Sequence, residues 1–260
     1  MKTEPRNDGR LEGRKDGRTE RDRGARCVPG FPRMLRPTTF RLSVLPSLLT
    51  ILVGTPAPVR PTPLTIGRLH YDGGGDWYAN PSSLPNLLQA IGTRTTLPVT
   101  AREKVVTLTD DDLWQVPYIY MTGHGNVHWS DAELAILRRY LQQGGFLHAD
   151  DNYGMDLSIR RELKRLFPDR PLVEVPLDHP IYHLVYEFPR GIPKIHEHDG
   201  KPAQGFGIFL DGRLVVYYSY QSDLGDGWED FEVHRDPPEL HEAALRMGVN
   251  LFVYAVGGGQ

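Results

Sequence analysis

YIYMTGHGNVHWSDAELAILRRYLQQGGFLHADD, residues 118–151, decides the fold. An apolar run enters a Gly/His loop. Ser130 then stands where a helix N-cap belongs, with Glu133 three residues on, the spacing of a capping box. Leu134, Leu137 and Leu141, with Ile136 and Tyr140, form the apolar stripe of a helix over 130–143. Gly144-Gly145 end that helix, and a second apolar run over 146–149 leads into Asp150-Asp151. This is a βαβ unit whose two polar loops fall at the carboxyl ends of adjacent parallel strands. In open α/β sheets ligands bind in that crevice.

The same alternation extends outward. Residues 64–71, 104–108, 116–121 and 172–175 read as strands, and 81–91 and 156–167 as helices. Residues 179–186 read as a short helix or turn. Asp211-Gly212, between the runs 205–210 and 213–220, is the strongest hairpin signal in the chain. Trp228-Glu229 falls in a loop, and a final helix covers 239–255. Strands alternating with helices predict an α/β fold: a doubly wound, mostly parallel sheet with a C-terminal β-hairpin.

The first sixty-odd residues are a different kind of chain. Residues 1–33 hold ten Lys/Arg, six Asp/Glu and few apolar groups. They cannot bury enough surface to offset chain entropy, so a disordered basic extension is expected. Residues 34–63 resemble a signal peptide and linker: Arg36 and Arg41, then the apolar run SVLPSLLTILV at 43–53, then Gly54-Thr55-Pro56-Ala57. The run is short for a transmembrane helix and contains Pro46. The reading is that Met34 is the start, that residues 1–33 are not translated, and that the protein is exported to the periplasm or cell envelope. The alternative is a tail followed by an uncleaved anchor, the one route by which this chain would meet a membrane.

Charge divides at the same place. Residues 1–63 carry 13 basic and 6 acidic groups, a net of +7, and residues 64–260 carry 17 and 27, a net of −10. An acidic domain argues against nucleic acid as a partner. The one cysteine, Cys27, lies before the domain. Thiolate nucleophiles, Cys metal ligands and disulfides are thereby excluded from residues 64–260.

Several motifs together resemble the bacterial DUF4159 family, a domain of unknown function. They are Asp76-Trp77-Tyr78 after a Gly-rich loop, Ser83-Leu84-Pro85-Asn86-Leu87, Tyr120-Met121-Thr122-Gly123-His124, Gly144-Gly145-Phe146-Leu147 with Asp150-Asp151, Asp178-His179-Pro180-Ile181-Tyr182-His183, and Asp223-Leu224-Gly225-Asp226-Gly227-Trp228-Glu229. The resemblance spans roughly residues 64–258. It implies a flavodoxin-like fold, similar to class I glutamine amidotransferases, and an envelope setting. It implies no activity. Those amidotransferases carry a Cys after the strand matching 146–149, where this chain has Asp150-Asp151, so thiol-based amide hydrolysis is excluded.

Three loops supply candidate site residues: Asp76, Trp77 and Tyr78; His124 to Trp129, with His128; and Asp150, Asp151 and Asn152. The glycines of 72–76 lack G-x-G-x-x-G and P-loop spacing, and Asp72 and Asp76 would repel phosphate. Trp129 and Trp77 are candidate stacking platforms. Adjacent carboxylates at a buried strand end need pairing or a cation. Asp150 shares a strand face with His148, so Asp150, His148 and His124 are the candidate metal ligands, and Asp150, Asp151 and His124 the candidate catalytic groups. The bland reading of the acids is a cap for the helix starting near Asp156. His179 with His183, and His196-Glu197-His198, are further metal-capable groups, and Asp223, Asp226 and Trp228-Glu229 form an acidic aromatic loop read as locking the hairpin to the sheet.

No cofactor is expected, apart from a divalent metal as the alternative. The leading expectation is a non-thiol domain binding a small ligand or an envelope protein. The second is a carboxylate/His hydrolase, metal-assisted in one form, acting on an envelope sugar or peptide. The third is an assembly module that has kept the fold and lost the chemistry.

Overall fold

Strand β1 (Ile66–Leu69) is buried along its whole length, because it lies between two parallel neighbours. On one side is β2 (Lys104–Val106), on the other β3 (Tyr118–Gly123). Next come β4 (Phe146–Asp151) and β7 (Arg213–Tyr220), also parallel. Then β6 (Gln204–Leu210) and the two-residue β5 (Val173–Glu174) add antiparallel. The order is β2-β1-β3-β4-β7-β6-β5. The computed structural model describes residues 61–258. The expected basic extension, start at Met34 and signal-like segment lie outside the described residues, except 61–63.

Helices cover both faces. On one face α1 (Ser83–Arg94), the five-residue α4 (Leu224–Trp228) and α6 (Pro238–Val256) pack against Tyr118, Tyr120, Phe146 and Tyr217. On the other, α2 (Asp131–Gln142) and α3 (Asp156–Leu166) pack against Ile119, Met121, Leu147 and Tyr218. A single turn, α5 (Phe231–His234), precedes α6. This arrangement accounts for the long apolar runs of β3 and β4: both faces of each strand are covered. The winding direction reverses between β1 and β3.

The local signals hold. The capping box of α2 forms in both directions, Glu133 N–H to Ser130 Oγ at 3.3 Å and Ser130 N–H to Glu133 Oε2 at 2.8 Å. Asp211 and Gly212 both take positive φ, 49° and 85°, as a tight primed hairpin turn requires. Trp228 is wholly buried, and its Nε1–H donates to Ala244 O at 2.7 Å, fastening α4 to α6. Burying a side chain of that size contributes about 2–3 kcal/mol. Among the described residues no helix is long and apolar enough to cross a membrane.

Several boundaries differ from expectation: α1 runs Ser83–Arg94 and not 81–91, β2 ends at Val106, and Trp228, read as a loop residue, is the last residue of α4. Strand β4 does not stop at Ala149; Asp150 and Asp151 are its last two residues. They pair with Thr122 and Gly123 of β3. Successive residues of a strand face opposite sides, so the two acids are separated by the sheet.

Candidate functional site

The carboxyl ends of β1, β3, β4 and β7 gather most of the buried polar groups. Arg68 of β1 is buried, and its guanidinium donates to Ala79 O (2.8 Å) and Asn80 O (3.1 Å). Those bonds fix the turn into α1 and hold Asn80 at φ 58°, a left-handed conformation. Asn80 Nδ2 then donates to Asp226 Oδ1 at 2.7 Å, and the Asn80 and Asn152 amides pair at 3.3–3.4 Å.

Asp150 faces α1, α4 and α6. It accepts from Gly225 N–H (2.7 Å), Tyr120 OH (3.1 Å) and Ser219 Oγ. Burial pushes its carboxyl up to about 6, against the pull of those donors. His148, two residues earlier on the same face, has Tyr118 OH at 2.7 Å from Nδ1 and Ser219 Oγ at 2.8 Å from Nε2. Burial pushes its imidazole down to about 3, so it is neutral. One proton pattern satisfies the whole chain: Tyr118 donates to Nδ1, Nε2–H donates to Ser219, and Ser219 donates to Asp150, with Ala149 O at 3.2 Å as its other acceptor. Asp151 faces the other side. It accepts from Met155 N–H (3.0 Å) at the start of α3 and from Tyr218 OH (3.2 Å), and burial raises its carboxyl too.

The expected Asp150/Asp151/His124 constellation therefore does not assemble. Each acid anchors the start of a different helix, as the capping alternative has it for Asp151. His148 has both ring nitrogens engaged inside the core and shares no hydrogen-bond partner with His124. His124 is exposed and pairs with Asp76, Nδ1 to Oδ2 at 3.0 Å, while its backbone N–H donates to Asp76 Oδ1. Burial alone would raise Asp76, but the bonds from His124 outweigh it and hold the carboxyl below its ordinary value. Trp129, expected as a platform, is wholly buried against α3 instead. The apolar stripe of α3 needs a cover, and Trp129 supplies it. His128 is exposed, and its backbone N–H donates to Asp72 O at 2.8 Å. Trp77 stacks on His70 at 4.2 Å, and Tyr78 lies open to solvent. Of the residues named on the three loops, Asn152 and Asp150 border the gathering described next, which also holds His196, His198, Asp223, Asp226 and Glu229.

The segment before β6 and the chain beyond β7 meet in a His/acid cluster. His196 stands between two carboxylates, Nδ1 to Asp226 Oδ2 and Nε2 to Asp236 Oδ1, both at 2.9 Å. Those hydrogen bonds raise it to about 9. Asp226 feels burial upward, but His196, the charge of His234 and Asn80 together hold it below its ordinary value. His234 Nε2 is 3.1 Å from Glu229 Oε2 and 3.9 Å from Asp226 Oδ1. His198 Nε2 meets Asp223 Oδ2 at 2.5 Å. Burial, then the charges of Asp150 and Asp226, push Asp223 up to about 8, while burial lowers His198. Asp223 Oδ1 has no hydrogen-bond partner among the described residues and is buried.

Backbone strain concentrates here. Among the described residues six non-glycines have positive φ, and five of them lie on these loops: Asn80, Tyr153, Gln221, Asp223 and Arg235; the sixth is Asp211 of the hairpin. Each costs of order 1 kcal/mol or more, and such residues gather at functional sites. Tyr153 also stacks on His198 at 4.4 Å. A cavity of about 640 Å³ lies at the opposite, amino end of the sheet between Leu64, Trp114, Val116, Arg139 and Tyr140. No acid or histidine lines it.

The sequence shows His196-Glu197-His198 and the acids of 223–229 as two separate groups, and nothing in their spacing joins them. His234 and Asp236 give no signal at all, because a single turn of helix brings them in.

A family model described as Domain of unknown function (DUF4159) matches residues 65–256. No curated protein matches the chain. The chain belongs to the DUF4159 family.

Proposed function

We propose that this DUF4159 domain is a flavodoxin-like, non-thiol binding domain of the cell envelope, which holds a small polar ligand over the carboxyl ends of β1, β3, β4 and β7. The run β2-β1-β3-β4-β7 supports the flavodoxin-like reading, since it follows the 2-1-3-4-5 order of that fold, with its switch point between β1 and β3. The antiparallel β6 and β5 extend the edge. The observation that carries the binding reading is the strain: five left-handed non-glycine residues on the loops of one end. The apolar run at 43–53 supports export.

The ligand reading is tested by thermal denaturation of the full chain with a defined panel of amino sugars, short acidic peptides, dicarboxylates and nucleotides. A ligand at a hundred times its Kd adds about 2.7 kcal/mol. A shift from one class, lost in Tyr153→Ala, supports the reading; no shift from any class overturns it. Fractionation of cells expressing the full chain tests export, and recovery only in the cytoplasm contradicts it.

The second reading is a carboxylate- and histidine-based hydrolase on an envelope sugar or peptide. It is favoured by the donor set His196, Asp226 and His234, of the kind that hydrolytic metal centres use.

A further inference from the structure

We infer that His196, Asp226 and His234 bind one divalent transition cation of the zinc class, with the cation as an anchor for the ligand proposed above. The inference deepens that reading and rests on it for the location of the site. One ligand atom from each of the three residues lies within 4.8 Å of the others, close enough to share an ion after small rotations. Two imidazoles with a carboxylate suit zinc and its first-row neighbours; magnesium prefers all-oxygen, octahedral surroundings.

The groups behind these ligands are those a metal centre needs. A metal-bound histidine donates its second ring N–H to a carboxylate or carbonyl, which fixes the ring. Asp236 takes that part for His196, at 2.9 Å from Nε2, leaving Nδ1 toward Asp226. Asn80 steadies Asp226 through Oδ1. Glu229 Oε2 lies 3.1 Å from the same His234 nitrogen that faces Asp226, so it is a further carboxylate at the site and not a group behind it; Ser82 N–H (3.3 Å) and Ser82 Oγ (3.2 Å) hold it there. Bound metal takes the place of the His196 Nδ1 proton, which leaves to solvent.

An independent observation points to a missing partner. Asp223 is wholly buried, its Oδ2 lies 3.9 Å from His196 Nδ1, and its Oδ1 has no partner among the described residues. A buried carboxylate oxygen without a donor is costly unless a cation or a ligand completes it.

The test is calorimetric titration of the chelator-stripped full chain with Zn²⁺, and with Mg²⁺ for comparison. One Zn²⁺ per chain and no Mg²⁺ heat is the expected result. His234→Gln should lose the site, and Asp236→Asn, which removes only the group behind His196, should weaken zinc by about 10- to 100-fold. His124→Gln, at the exposed pair with Asp76, should leave zinc affinity unchanged. Circular dichroism confirms that each variant is folded; if His234→Gln is not, the folded Asp236→Asn and the Co²⁺ absorption spectrum of the parent decide. A parent that takes up no stoichiometric zinc, or folded His234→Gln and Asp236→Asn that bind as the parent does, overturns the inference. The two proposals fail separately: zinc binding with no response to the panel sinks the ligand reading alone, and a zinc-independent response to the panel without zinc binding sinks this one alone.

Discussion

Asp150 and Asp151 are consecutive residues that never share a hydrogen-bond partner: Asp150 receives Gly225 N–H on one side of the sheet, and Asp151 receives Met155 N–H on the other. Each sits at the start of a different helix. Between them they tie α4 and α3 to the end of a single strand.

Their contributions to stability should therefore add. Asp150→Ala strands two buried donors, from Gly225 and Tyr120, while Ser219 Oγ keeps Ala149 O at 3.2 Å, and should cost about 2–4 kcal/mol. Asp151→Ala removes the acceptor at the start of α3 and should cost about 1–2 kcal/mol. In urea denaturation neighbours ordinarily show a coupling of about 0.5 kcal/mol or more, so a double variant within about 0.5 kcal/mol of the sum would show that the sheet separates the two carboxyls. A coupling well above that would mean the two carboxyls act as one unit.

The Tyr118–His148–Ser219–Asp150 chain gives stability a particular pH dependence. Folded His148 refuses its proton until about pH 3, whereas the unfolded residue accepts it at 6.5. Its contribution is whole above 6.5 and is lost as pH falls toward 3. Asp150 acts in the opposite sense: folded, it keeps its proton up to about pH 6; unfolded, only to 3.8. Its contribution is whole below 3.8 and is lost as pH rises to 6. Between about pH 4 and 6 the two slopes oppose each other, each at about 1.4 kcal/mol per pH unit. Asp150→Asn leaves His148 unopposed. From pH 6 to pH 4 the variant should lose of order 2 kcal/mol more than the parent loses, measured by urea denaturation at each pH. Parallel curves would contradict the assignment.

Asn80 combines strain with two partners. Asn80→Ala loses the bonds to Asp226 and Asn152 and keeps the left-handed backbone, at a cost of about 2–3 kcal/mol. Asn80→Gly loses the same bonds without the steric penalty, and should be the less destabilised of the two by about 1 kcal/mol. Thermal denaturation of both variants checks the order; the reverse order would mean that Asn80 is not strained.

The sheet was legible because its rules are local. Alternation, the Ser130–Glu133 box and the Asp211-Gly212 turn each act within a few residues, and each is found in place. The candidate site was legible only where it lay on a strand end. Asp150 and Asn152 border the proposed cluster through Gly225 and Asn80, but reading β4 as ending at Ala149 hides the fact that Asp151 must face away. Trp129 looked like an exposed loop residue because no signal ahead of α2 shows that α3 needs covering. The His196–Asp226–His234 grouping depends on contacts between segments far apart in sequence and on the single turn α5, and no periodicity records those.

The most direct test of where the chemistry lies is the imidazole ¹H–¹⁵N correlation spectrum of the full chain as Zn²⁺ is added. The account predicts that the ring nitrogens of His196 and His234 move with one equivalent of zinc, while those of His124 and His148 stay in place. Movement at His124 or His148, with His196 and His234 unchanged, would contradict it and return the site to the loops after β3 and β4.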